Sequence, residues 1–369
     1  MSFTLALNGR FSGTPKPTGT QVVAYHLFDA ILRAPRGEEA VVFADPRFPG
    51  VAAWAELPRT RLVPVPFQDW SRGRAQLWEQ FAFPLAARRR GARVAHHPIT
   101  TCPAWHNGLR TVVTLHDLNF YLHPEWFSRR FSLVLRLCAV PGLQRADRVV
   151  AISDYVAGQA REHFHLRPER LTRVYNGNRP LPGDAPSLPG TPPYILCVGS
   201  LQPHKNLPRL IEAYRRLRPD FPGLELHVVG RPQARFAAQP ELAALLETPG
   251  LKVLGYLSEA ELQRAYRDAR VFCYPSLEEG FGLPLLEAAL AGTLVVSSNA
   301  SCLPEIAGPA AELVDPLDPG AIAAGLAKML RLPEEERARR LETGAAWAGR
   351  FTWEAAAEAY WKIFRAAAY

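Results

Sequence analysis

Short, nearly continuous apolar runs alternate along this chain with longer segments whose apolar positions recur every three or four residues. The first pattern suits strands of a sheet buried on both faces, the second the helices that cover it. Residues 3–7, Phe-Thr-Leu-Ala-Leu, predict a strand closed by Asn8-Gly9. A loop to Gly19 and an amphipathic helix over about 20–32 follow. Further strands are expected at 41–44, 94–96, 111–115 and 148–152. The last ends at Ser153, a good N-cap for the helix after it. Residues 175–178, Tyr-Asn-Gly-Asn, read as a turn closing one more strand.

Residues 180–193, P-L-P-G-D-A-P-S-L-P-G-T-P-P, break the alternation and mark a domain boundary. The alternation then restarts with the apolar run 194–198, a helix over about 207–217, and strands at 224–229, 253–254, 271–274 and 293–297. A last helix, about 352–367, carries Trp353, Tyr360, Trp361 and Phe364. The pattern predicts an α/β protein with two doubly wound, Rossmann-like domains, 1–183 and 184–350, and a terminal helix in 351–369.

The most informative segment is 274–292, Y-P-S-L-E-E-G-F-G-L-P-L-L-E-A-A-L-A-G. It reads as a strand end, a glycine loop and the start of a helix. Gly280 and Gly282 flank Phe281 and let the backbone approach a ligand closely. Pro284 falls in the first helical turn, where proline is tolerated. Free amides and the positive end of the helix dipole then suit a phosphate or diphosphate. Glu279 precedes the glycines, and Glu287 lies on the helix, which is apolar nearly all round. A carboxylate on a buried helix is costly unless hydrogen-bonded. Sugar hydroxyls would serve as donors, and so would a backbone amide or an arginine.

Two other positions carry candidate chemistry. Lys205, in the segment 199–206 after the first strand of the second domain, is placed to neutralise a diphosphate. Asn206 beside it is expected to cap the next helix. His116 ends a first-domain strand, where a sugar hydroxyl and a backbone carbonyl are equally suitable partners.

Composition narrows the class. The chain has 369 residues, 48% hydrophobic and 21% charged, as in an ordinary globular protein. No run approaches the roughly 20 apolar residues of a membrane span. The best candidate, 131–143, is broken by Arg136 and Pro141. The first residues lack a basic start and have too short an apolar core for a signal peptide. Five scattered cysteines without a C-x-x-C pair read as reduced thiols, so a cytoplasmic location is expected. No Asp-x-Asp pair is present, and no metal or other cofactor is expected. Charge is uneven: residues 1–183 hold 24 Lys and Arg against 13 Asp and Glu, a net of +11, and the rest is net −3. No nucleic-acid module accompanies the basic half. Arg88, Arg89, Arg90 and Arg93 are its densest group, read either as a helix end or as a patch for anionic lipid.

The run Glu279, Gly280, Phe281, Gly282, Leu283, Pro284 and Glu287 resembles the nucleotide-sugar site of the retaining glycosyltransferases of family 4, and the resemblance covers most of the chain. It implies the GT-B fold, two Rossmann-like domains facing a central cleft, with the terminal helix crossing back to the first. It implies that Glu279 contacts the donor sugar, that amides at Gly282 and Leu283 hold the diphosphate, and that Glu287 holds the ribose. Lys205 matches the family's phosphate-binding lysine, but Ser200 stands where an arginine is frequent. Gly19 matches a first-domain glycine loop lacking its usual second glycine, and residues 254–257 with Tyr256 and Leu257 match the segment that meets the base. His116 matches a cleft histidine. Residues 116–131, H-D-L-N-F-Y-L-H-P-E-W-F-S-R-R-F, resemble members that build bacterial surface polysaccharides such as lipopolysaccharide, many of them mannosyltransferases.

The expected activity is therefore retaining, metal-independent hexosyl transfer from a nucleotide-sugar, GDP-mannose preferred. The expected acceptor is a glycan or polyprenol-linked sugar, with peripheral contact at the anionic inner membrane face. A nucleotide-sugar 2-epimerase of related fold is an alternative, as is a catalytically inactive scaffold, against which Glu279 and Glu287 argue.

Overall fold

The strands of the first half are β1 (Thr4–Gly9), β2 (Glu39–Ala44), β3 (Thr60–Pro64), β4 (Ala92–His97), β5 (Arg110–Leu115), β6 (Arg148–Ala151) and β7 (Leu171–Arg173). All pair in parallel, in the order β3-β2-β1-β4-β5-β6-β7. In the computed structural model, which describes residues 3–15, 19–179, 192–199, 202–230 and 240–369, a second parallel sheet follows. It comprises β8 (Tyr194–Val198), β9 (Glu225–Val229), β10 (Leu251–Gly255), β11 (Val271–Tyr274), β12 (Leu294–Ser298) and β13 (Glu312–Val314), in the order β10-β9-β8-β11-β12-β13. Most of the proline-rich stretch read as the boundary lies outside the described residues.

The two sheets belong to separate compact units, Met1–Gly177 with Thr352–Tyr369, and Asn178–Phe351. In each, the central strands are buried on both faces: Leu5, Leu7, Val112 and Val113 in the first, Ile195, Leu196, Val271 and Phe272 in the second, are fully enclosed. Such strands read as continuous apolar runs because helices cover both faces.

The terminal helix Trp353–Ala368 packs on the helix Gly19–Arg33 of the first unit. Its aromatic residues reach partners there. The Trp361 indole donates to the Ile31 carbonyl at 3.0 Å, and the Tyr360 and Thr114 hydroxyls share a 2.7 Å bond. Arg365 adds a 2.7 Å ion pair to Glu38.

Candidate functional site

In open parallel sheets, ligands bind outside the carboxyl ends of the strands where the strand order reverses. In the second unit that point lies between β8 and β11. The loops leaving these strands carry Lys205 and Glu279.

Lys205 closes the short turn Pro203–Lys205, and Asn206 follows in the left-handed region, φ 58°. Asn206 does not cap the helix Leu207–Leu217 with its side chain. Its amide is taken by buried carbonyls instead, donating to Pro275 at 3.0 Å and Pro316 at 2.6 Å. The Leu277 amide donates to the His204 carbonyl at 2.7 Å. These bonds clamp the lysine loop onto the loop after β11.

Lys205 Nζ consequently reaches Glu279 Oε1 at 2.6 Å and the Tyr274 hydroxyl at 2.7 Å. The Tyr274 hydroxyl in turn donates to Glu279. The Glu279 side chain is 13% exposed. Burial pushes its carboxyl up, but Lys205 foremost, then His204 and Tyr274, outweigh that and hold it below its ordinary value. Burial, with Glu279 beside it, pushes the Tyr274 phenol far up, so this hydroxyl keeps its proton.

The glycine loop leads into the helix Leu283–Leu290. Gly282 adopts φ 95°, and a Cβ there would lie 2.9 Å from Leu303 Cδ2, so only glycine fits without strain. The Phe281 ring is buried edge-on against Phe351, with centroids 6.0 Å apart. The Phe281 carbonyl accepts from Cys302 Sγ at 3.2 Å. Phe281 thus anchors the loop with its side chain and leaves backbone to face a ligand. In the first helical turn Pro284 has no N–H and the Leu285 amide donates to the Gly282 carbonyl at 3.0 Å, so the amide at the start of the turn is that of Leu283, next to Gly282.

Glu287 is buried on this helix. Tyr266 donates to its Oε2 at 2.8 Å, and Arg179 Nε lies 3.0 Å from its Oε1 as an ion pair. The arginine alternative is thus realised. Each carboxylate oxygen still has a lone pair for a further donor.

Tyr256 and Leu257 follow β10, beyond Gly255, with Tyr256 68% exposed. Ser200 lies outside the described residues. Gly19 and His116 belong to the first unit. Gly19 opens its helix with free space where a Cβ would project. The buried His116 imidazole is bound through Nε2 to the Pro98 carbonyl at 2.6 Å, which places the ring proton on Nε2 and leaves Nδ1 an acceptor. Burial lowers its pKa and keeps it neutral near neutrality.

The first unit carries a polar cluster of its own where β1 and β4 meet. Glu79, 2% exposed, sits in a π-turn, Trp78–Ala82. It accepts from Asn8 Nδ2 and Thr101 Oγ1, each at 2.7 Å, and pairs with Arg10 at 3.2 Å and His97 at 3.3 Å. Burial raises its carboxyl, and Arg10, His97 and Thr101 together hold it below its ordinary value.

Sequence reasoning missed Tyr274, Tyr266, Arg179 and Glu79. Tyr274 read as an apolar position of a strand, and Tyr266 fell in no segment the pattern singled out, although a buried tyrosine needs a hydroxyl partner. Arg179 gave only the signal of a lone cation before a proline-rich stretch. Among the described residues, no group of three or more His, Cys, Asp or Glu side chains gathers to hold a metal ion.

Two family models match the chain. Residues 184–347 match the group 1 glycosyl transferases, and residues 17–178 match Glycosyltransferase Family 4. The O-antigen chain mannosyltransferase B of Escherichia coli is 30% identical over 268 residues, 66% of this chain and 67% of that protein. The chain belongs to glycosyltransferase family 4. Its fold is GT-B. Sucrose-phosphate synthase from Thermosynechococcus elongatus superposes with a TM-score of 0.76 at 20% identity, over 99% of this chain and 98% of that one. HepE of Anabaena, solved in complex with UDP and glucose, gives 0.71 at 17% identity, over 99% of this glycosyltransferase and 100% of that chain.

Proposed function

We propose that this glycosyltransferase moves a hexose from a nucleotide-sugar to a hydroxyl of a cell-surface glycan or polyprenol-linked acceptor, with retention at the anomeric carbon and without a metal ion. One observation carries the reading: Lys205, Glu279 and Tyr274 converge at the switch point of the second sheet, beside the glycine loop and helix start. A cation and helix amides suit a diphosphate, and an ionised, buried carboxylate suits sugar hydroxyls. The UDP complex of HepE supports a nucleotide-sugar as donor. The similarity to an O-antigen mannosyltransferase favours GDP-mannose.

In this mechanism the bond from the anomeric carbon to the diphosphate oxygen breaks, through an oxocarbenium-like state. The acceptor oxygen bonds to the same face of that carbon. The acceptor proton passes to the departing diphosphate. Lys205 and the amides at Gly282 and Leu283 stabilise the charge that develops there, which is electrostatic catalysis. Glu279 orients the sugar, and Glu287 with Tyr266 beside it receives the ribose. Gly19 and His116 of the first unit are proposed ligand contacts in their own right, with His116 Nδ1 free to accept from a hydroxyl. Tyr256 and Leu257 meet the base. The protein works in the cytoplasm, and its basic first unit contacts anionic membrane.

A thermal-shift panel of GDP-, UDP- and ADP-sugars tests the donor. Stabilisation by GDP-mannose above the others is expected, and no shift with any of them would overturn the donor site. Release of free sugar without an acceptor would favour the epimerase alternative.

A further inference from the structure

The helical stretch 72–88 of the first unit runs through Arg72–Leu77, the π-turn Trp78–Ala82 and Phe83–Arg88. Its inward side holds Glu79, Gln80, Phe83 and Ala87, all buried. Its outward side is apolar. Leu77 is 62% exposed, Phe81 55% and Leu85 48%. Residues four apart share one side of a helix. Trp105 stacks on Phe81 with centroids 6.3 Å apart, and its indole donates to the Gln80 carbonyl at 2.7 Å. The Gln80 side chain ties the same loop down, donating to the Cys102 carbonyl and accepting from the Ala104 amide. The apolar ridge is thus braced from beneath.

A second helix of this unit, Arg129–Arg145, has the same character. It buries Ala139 and Leu143 and exposes Leu133, Val134 and Leu137, the last at 65%. Its Cys138 thiol lies within hydrogen-bond reach of Gln76, so the two helices are neighbours. Scattered exposed leucines need no explanation, but ridges on two adjoining helices do.

Charge decides the occupant. Residues 70–93 contain six arginines and one acid, Glu79, which is buried; residues 132–145 contain Arg136 and Arg145 and no acid. A second copy of this chain would set like charge against like charge across a two-fold contact. An anionic bilayer interface offers headgroups to the arginines and an acyl boundary to the ridge, as for helices that lie in the plane of a membrane.

We infer that the ridge Leu77, Phe81, Leu85 and Trp105, with Leu133 and Leu137, inserts into the headgroup region of an anionic bilayer. This rests on the membrane contact proposed above and gives it a surface: the arginines attract, and the apolar residues enter.

Co-sedimentation decides it, with vesicles of phosphatidylcholine alone and of phosphatidylcholine mixed with phosphatidylglycerol in equal parts. Wild type is expected to bind the mixed vesicles. Part of that binding should persist at 1 M salt, where the Debye length is only about 3 Å and attraction between exposed charges is screened. The Phe81→Gln/Leu85→Gln double variant should bind at least about tenfold more weakly, a loss of about 1.4 kcal/mol, with unchanged nucleotide-sugar thermal shift. Leu133→Gln/Leu137→Gln is the second test, used alone if the first double variant melts early. Lipids brominated near the headgroup should quench tryptophan emission in wild type and less so in Trp105→Phe. If variants and wild type bind alike and binding vanishes at 1 M salt, the insertion is wrong while the electrostatic membrane contact stands. If wild type binds neither vesicle, both fail. If wild type is a dimer that the variants dissociate, the ridge is a contact between copies.

Discussion

The two sheets end in two different kinds of buried carboxylate. In the first unit, Glu79 takes donors from Asn8, Thr101 and Arg10, which come from distant points of the chain, and pairs with His97. Its network pins the π-turn of its helix to the ends of β1 and β4. In the second unit, Glu279 and Glu287 are each held by one cation and one tyrosine hydroxyl. They flank a glycine loop whose backbone is shaped for close approach. Sheet topology alone therefore does not locate the chemistry, since both units bury a carboxylate at the strand reversal. The number of partners and the neighbouring backbone separate a structural acid from one kept for a ligand.

The sharpest way to break this contrast is to remove Glu279. In Glu279→Ala, turnover should fall by roughly 100- to 1,000-fold, the loss typical of one transition-state partner. Affinity for the free nucleoside diphosphate should stay within about threefold, because that ligand lacks the sugar and Lys205 loses a competitor for it. Single-turnover rates and nucleotide titration check the two parts. Equal losses in both would place Glu279 on the diphosphate side.

Glu79 should behave in the opposite way. Removing one partner of a buried ionic network costs about 3–5 kcal/mol, so Glu79→Leu should lower unfolding stability by roughly that much. Turnover per folded molecule should hold. The folded Glu79 carboxyl lies below its ordinary value, so its contribution is present above the unfolded carboxylate pKa and is lost as pH falls through the folded one. Denaturant titrations at descending pH should show wild type converging on the variant. A catalytic loss in Glu79→Leu without loss of stability would make this carboxylate functional and end the contrast.

Much of this was legible in the sequence, for a physical reason. Strands buried on both faces are continuous apolar runs, and eleven of the thirteen strands among the described residues could be read, from 3–7 to 293–297. The two missed, β3 and β13, lie at sheet edges and lack an apolar run: no residue of β3 is fully buried, and β13 has only three residues. The glycine loop was legible because its backbone demands glycine at Gly282. Tyr274, Tyr266 and Arg179 were not, because partnership between residues distant in sequence leaves no local pattern. Asn206 illustrates the same limit. Its position suited a cap, but carbonyls supplied by other loops took its side chain. The exposed ridge of the first unit was hidden too, since apolar residues on a helix imply burial until the outward face is seen.

Glu287→Ala tests the second carboxylate with a smaller expected effect. One hydrogen bond to a charged group contributes about 1.5–3 kcal/mol, so nucleotide affinity should fall by roughly 10- to 150-fold. Arg179 would lose its partner as well, and Glu287→Gln, which keeps an acceptor, should recover part of the loss. Unchanged affinity in Glu287→Ala, measured calorimetrically, would return Glu287 to the structural class with Glu79.

The smallest expected effect is none, on adding a chelator. A transferred hexose leaves behind a diphosphate whose charge must be met by something. In the proposed site that is Lys205, with the amides at the start of Leu283–Leu290. Both are part of the chain and survive EDTA. Lys205 is paired with Glu279 before the donor arrives, so the arriving diphosphate competes for a cation already in place. Initial rates with EDTA should match those without it within error, across donor concentrations spanning KM. A rate abolished by EDTA and restored by magnesium or manganese would show that Lys205 and the helix start do not suffice. The second sheet would then need a ligand set for a divalent ion, which its two carboxylates, each already paired with a cation, are poorly arranged to supply.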